Sequence, residues 1–147
     1  MLENENVVAL NNVILSCREA ASRYHTASTL LDEGSLKKVF TSFADYREDV
    51  ARRLEAAVKR LGSLPMDTNP DKQTLEMLWT RIKSAVENDK IHILLTEGFD
   101  LEENIIDACD HALACPLEED LTRTIARLKR ESATCRQWFK DNADLPP

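Results

Sequence analysis

Four long stretches of this chain place apolar residues at intervals of three and four, the spacing that brings side chains onto one face of an α-helix. In the first, Val7, Leu10, Ile14, Cys17, Ala21, Tyr24, Ser28 and Leu31 share a face, and in the second Leu36, Phe40, Phe43, Arg47, Val50, Leu54, Val58 and Leu61 do so. Ile91, Leu95, Gly98, Glu102, Ile106, Cys109 and Leu113 make the third stripe, and Leu121, Ile125, Leu128, Ser132, Cys135 and Phe139 the fourth. Each stripe needs neighbouring helices to cover it. The pattern therefore predicts long helices over about 5–31, 36–61, 90–114 and 117–141, packed on one another.

The residues between the stripes say how the helices connect. Gly34 stops the first and Ser35 can cap the second, so a short turn joins them as an antiparallel hairpin; Gly62 supplies the next stop. Pro116 interrupts the third helix and can open the fourth, whose acidic Glu118, Glu119 and Asp120 suit the positive end of the helix dipole. The crossover 62–89 begins as a Pro, Asp and Asn-rich loop. Asn69-Pro70 then reads as a cap and first turn, and Leu75, Leu78, Trp79, Ile82 and Val86 give one apolar face to a short helix over about 70–87. The expected fold is all-α: one domain over 1–147, an antiparallel four-helix bundle whose long crossover carries a short extra helix.

Composition agrees with that reading and narrows the function. A chain of 147 residues fits one core, since folding at that length buries about 70% of the unfolded surface. Three glycines and 5% aromatics leave too few turn and strand formers for a large sheet. The net charge of -7 repels nucleic-acid phosphates and anionic lipid, so neither is expected as a partner. No run approaches the ~18 consecutive apolar residues of a membrane span. Met1 to Asn6 is acidic and polar where a secretory signal would be basic and then apolar, which points to the cytoplasm. Cys17, Cys109, Cys115 and Cys135 form no CxxC pair and are expected as reduced thiols.

Certain residues within this pattern resemble a bacterial family of ferritin-like four-helix-bundle proteins of unknown function. They are Leu10-Asn11-Asn12 with Tyr24 in the first helix, Leu54 to Gly62 ending in Lys59-Arg60-Leu61-Gly62, Trp79 in Trp79-Thr80-Arg81-Ile82-Lys83, and Glu102-Glu103 in the third helix. The resemblance implies a ferritin-like bundle distantly related to carboxylate-bridged dimetal proteins, with links to stress responses in some members. One departure bears on chemistry. Where that family often has an Ala-His pair in the last helix, this chain has Thr134-Cys135, which removes a metal ligand.

A dimetal site in such a bundle takes a Glu from each of two helices and a Glu-x-x-His pair from each of the other two. No Glu-x-x-His occurs in this chain. Asp45 and Glu48 fall outside the second stripe and are expected in solvent, while the inward polar residue of that helix is Arg47. Glu102 is centred on the third stripe. Both lie near the middle of their helices, so a buried ion pair is expected, with Glu131, Ser132 and Tyr46 as further members of a polar network where a relative would hold metal. The alternative has Arg47 reaching the rim and Glu102 meeting water. Gly98, one turn before Glu102, either admits a close neighbour or is a tolerated surface glycine.

The sequence thus points first to a non-enzymatic bundle with no catalytic residues and no cofactor, acting as a homodimer or through a protein partner. The contrasting reading is an oxidoreductase or metal-storage protein holding iron or manganese on Glu102, Glu131, Cys135 and His25. A small-molecule binder with its site in the bundle is a third. Cys17, Cys109 and Cys135 are expected as core residues and Cys115 as the most exposed thiol.

Overall fold

The computed structural model describes residues 5–62, 76, 77, 80, 82 and 85–144. Among these the chain is all-α, with four helices: α1 (Glu5–Leu30), α2 (Ser35–Arg60), α3 (Glu87–Leu113) and α4 (Glu119–Ala143). Each is roughly 38–40 Å long at 1.5 Å per residue, so they can lie side by side over their full length. The predicted short helix over about 70–87, with Trp79, lies largely outside the described residues. Ile82, which is described, is fully buried.

Helix ends depart from the sequence reading by up to three residues, for local reasons. Ser35 is the first helical residue and not the cap. That place falls to Gly34, whose carbonyl accepts from the Lys38 N–H at 3.3 Å. At the other end of α2 Gly62 has φ 81°, a left-handed conformation costly for any residue with a Cβ, and its N–H donates to the Lys59 carbonyl at 3.0 Å. α3 starts at Glu87 because Val86, in extended conformation, already accepts the Lys90 N–H at 2.9 Å. α4 starts two residues later than expected. The Leu117 N–H donates to the Cys115 carbonyl at 2.9 Å, so the reversal consumes residues 115–117 and Glu118 becomes the cap.

Contacts between side chains give the topology. Tyr24 meets Phe40 and Phe43, and Arg18 pairs with Glu48 and with Glu55 at 2.6 Å, so α1 and α2 run antiparallel. Arg136 with Glu103 at 2.9 Å and Lys129 with Asp110 at 2.6 Å set α3 and α4 antiparallel. α1 and α3 are antiparallel as well: Asn6 donates to the Pro116 carbonyl at 3.0 Å at one end, and Lys90 to the Leu30 carbonyl at 3.4 Å at the other. α2 and α3 therefore point the same way. The connection between them must travel from one end of the bundle to the other.

The predicted stripes form the interior. Val7, Leu10, Ile14, Cys17, Ala21 and Tyr24 of α1, and Leu121, Ile125, Leu128 and Phe139 of α4, are all buried. Small residues on α1, among them Ala9, Ala20 and Ala27, are buried too and let its neighbours approach closely. Three seams of the bundle carry inter-helix ion pairs along their length: α1 with α2, α1 with α3 through Arg23 and Glu97, and α3 with α4. At the α2–α4 seam an exposed pair, Arg60 with the cap residue Glu118 at 3.8 Å, lies at one end, and aromatic rings meet further along. Phe43 packs edge-on against Trp138 at 5.8 Å and against Phe139 at 5.5 Å, so large rings separate those helices.

Candidate functional site

Glu102 sits on the inner face of α3 and is fully buried, and Arg47 on α2 reaches across the interior to it. The guanidinium presents one edge to the carboxylate: Nη2 donates to Oε1, and Nε donates to Oε2 at 3.3 Å. The Tyr24 hydroxyl, from α1, donates to the same Oε2 at 2.8 Å and lies 3.4 Å from the Gly98 carbonyl. Three helices thus supply one buried charge cluster. Neither charged side chain is more than 1% exposed.

The electrostatics follow from burial and pairing. Burial by itself would make the Arg47 guanidinium easier to deprotonate, but the adjacent Glu102 charge more than reverses this and holds its proton more tightly than usual. Burial, then the Glu102 charge, then the hydrogen bond that Tyr24 donates to Glu102 push the Tyr24 hydroxyl well above the ordinary tyrosine range. Tyr24→Phe is expected to cost about 1.5 to 3 kcal/mol, the usual worth of a hydrogen bond to a charged group. Chemical denaturation of the folded chain checks it. A loss below ~0.5 kcal/mol, within the scatter of surface substitutions, would remove Tyr24 from the cluster.

The other sequence-predicted members are placed less centrally. Tyr46 does not hydrogen-bond to the pair: its ring lies under the guanidinium, with Arg47 Cζ 4.9 Å from the ring centroid. Ser132 is fully buried and its Oγ has no protein partner among the described residues. Glu131 is half-turned to the surface, where Oε1 accepts from Arg127 Nε at 3.1 Å while Oε2 is buried without a partner. Burial raises its carboxyl above the usual carboxylate range. Glu48, expected in solvent, is instead half-buried against Arg18, because the α1–α2 seam brings a guanidinium beside it. Asp45 is exposed.

The geometry does not assemble the alternative metal set. His25 is exposed on α1, and no group of three or more His, Cys, Asp or Glu converges anywhere among the described residues. Both oxygens of Glu102 already accept hydrogen bonds, and a divalent cation there would face the Arg47 guanidinium at contact distance. The residues present do not fit a dimetal cluster.

Cys17, Cys109 and Cys135 hold their protons near neutral pH. Burial pushes Cys17 and Cys109 up to about 12, and Cys135 up to about 11 against the opposing pull of Arg47. These groups and Tyr24 bind their protons more tightly folded than unfolded, where thiols titrate near 9.0 and tyrosine near 10.0. Their contribution to stability is full below pH ~9 and is lost as pH rises toward 12. Urea midpoints are expected to be level up to about pH 9 and then to fall. Cys17→Val should flatten that fall, and a midpoint insensitive to pH up to 11 would contradict the burial of these groups.

Sequence reasoning missed one participant, the Tyr24 hydroxyl. A tyrosine within an apolar stripe reads as its ring alone. The available signal was register: an antiparallel α1–α3 pair that sets residue 24 beside residue 98 also sets it beside residue 102, one turn on.

A family model described as Domain of unknown function (DUF2383) matches residues 5–115, which take in α1, α2 and α3 and so the whole Tyr24–Arg47–Glu102 cluster. No curated protein and no solved structure matches the chain.

Proposed function

Since the chain belongs to the family described as Domain of unknown function (DUF2383), a description that carries no reaction, we propose its function from its interior: a non-enzymatic, ferritin-like bundle in which a buried charge cluster stands where a dimetal relative would hold metal. The observation that carries this reading is Arg47, fully buried and paired with Glu102 at mid-bundle. A permanent cation there supplies the positive charge that a metal would otherwise bring. The ferritin-like part of the reading is supported by the topology, in which one long connection joins two helices that point the same way.

Without a reacting group inside, the bundle acts through what it binds. We assign it association with a second copy of the chain or with another protein, in the cytoplasm, and a stress setting by the family resemblance. Elemental analysis of protein purified without chelators or metal-affinity steps tests the first half. Iron and manganese are expected well below stoichiometric amounts, and stoichiometric metal overturns it. Sedimentation equilibrium tests self-association. A dimer is expected, and a monomer at all concentrations leaves only the other partner.

A further inference from the structure

α2 and α3, which share the buried Arg47–Glu102 pair, carry opposite charge on their outer faces. α1 and α4 lie between them, so the two helices occupy opposite corners of the bundle and their outer faces look in opposite directions. Exposed on the second half of α2 are Arg52, Arg53, Lys59 and Arg60, the arginine side chains being 64–67% exposed. Few acids answer them. Asp49 serves both Arg52 at 3.7 Å and Arg53 at 2.7 Å, Arg60 has Glu118 at 3.8 Å, and Lys59 has no partner among the described residues.

α3 is the counterpart. From Ile91 to Leu113 it contains no lysine or arginine, and Asp100, Glu103, Asp107 and Asp110 recur at the three-and-four spacing of one helical face. That face is turned outward: Asp100, Asp107 and Asp110 are exposed and Glu103 is half-buried. Arg136 and Lys129 of α4 answer Glu103 and Asp110, while Asp100 and Asp107 have no partner among the described residues. A solvated face that neutralises itself looks different. On α4, Arg123 lies beside Glu119 and Asp120, and Arg127 beside Glu131, each within one turn. Within one molecule the α2 and α3 charges cannot meet, because two helix diameters, roughly 20 Å, separate faces whose exposed charges act over ~8 Å at physiological salt. Between two molecules they can.

We propose that α2 of one copy docks on α3 of the next, with Arg52, Arg53 and Lys59 set against Asp100 and Asp107. This rests on the self-association reading above and names its surfaces. Because the two faces point apart, a pair joined in this way leaves α2 free on one member and α3 free on the other. A third copy can add at either end, so the contact is heterologous and the dimer is the first member of an open series. The net charge of -7 opposes the approach of any two copies, and exposed ion pairs are individually weak. Association therefore depends on several pairs formed at once, and salt loosens it.

Sedimentation velocity of the full chain tests this. At about 0.1 M salt, where the screening length is about 10 Å, dimers and larger species are expected as concentration rises; at about 1 M, where it is about 3 Å, the association constant should fall about tenfold or more. Arg52→Glu with Arg53→Glu, and separately Asp100→Lys with Asp107→Lys, change exposed side chains. Each double variant is expected to be monomeric with the circular dichroism spectrum of the parent. Mixing the two should restore association, since the first keeps the acidic α3 and the second the basic α2. A closed dimer, association indifferent to salt, variants that associate as the parent does, or a mixture that stays monomeric overturns the docking and leaves self-association through another face. A parent chain that is monomeric throughout overturns both the docking and the self-association reading.

Discussion

Glu102→Gln is expected to destabilise the fold by about 3 to 5 kcal/mol, although it changes one carboxylate oxygen into an amide nitrogen and leaves the volume of the side chain almost untouched. The loss comes from what stays behind. Arg47 would keep its charge in a buried position with no anion beside it, and the new amide NH₂ would point a donor at the donors of Arg47 or Tyr24. For a domain whose whole stability is on the order of 5–15 kcal/mol, that is a large share. Arg47→Met should be of similar size, since it strands the opposite charge. The double variant Arg47→Met with Glu102→Leu should recover most of the loss, because replacing both members of a buried pair by apolar residues removes the desolvation penalty along with the attraction. Urea denaturation of these variants, with Glu102→Leu alone added to close the double-mutant cycle, checks the expectation. A Glu102→Gln variant within ~0.5 kcal/mol of the parent would mean that the two side chains do not depend on each other.

Gly98→Ala is the second large effect, and its sign separates the fold from the helix. Within an isolated helix the change stabilises by about 1 kcal/mol, since alanine is the better helix former. In the bundle, a Cβ on residue 98 would lie 2.3 Å from one carbon of the Phe139 ring, with two further ring carbons at 2.4 and 2.6 Å. Phe139 is fully buried among Tyr24, Phe40, Phe43 and Trp138, so the ring has nowhere to retreat. Overpacking of this kind costs about 1–3 kcal/mol and sometimes more, and three simultaneous overlaps put it at the upper end. A net loss of about 2 kcal/mol is expected. Combining Gly98→Ala with Phe139→Leu should cost less than the two changes added together, because the smaller side chain relieves the overlap. A thermal midpoint raised by Gly98→Ala alone would show that the ring does not rest on this glycine.

Both predictions depend on residues that stand out in the sequence for the same reason. Arg47, Gly98 and Glu102 interrupt otherwise apolar stripes at mid-helix, where a charge or a missing side chain needs a partner to explain it. Periodicity was enough to say that these positions face inward. It could not say that Tyr46 would stack beneath the guanidinium while Tyr24, one helix away, provided the hydroxyl. Nor could it show that Glu131 would give one oxygen to Arg127 and bury the other without a partner. Those outcomes turn on axial height and rotamer, and two positions on one stripe can differ in height by a full turn of about 5.4 Å. The open α2–α4 seam was illegible for a related reason. The separation of two helices follows from the sizes of the side chains that meet between them, and the sequence does not state which will meet.

The sequence by itself determined the four helices and their inward faces, because backbone hydrogen bonds and a 3.6-residue repeat act over a few neighbours along the chain. Only the tertiary structure decided which helix lies against which, that a tyrosine from α1 completes an ion pair between α2 and α3, and that one glycine yields its space to a phenylalanine. Such contacts join residues dozens of positions apart. They are selected by packing and by the desolvation of buried charge, which act on the assembled bundle and leave no local trace in any one segment.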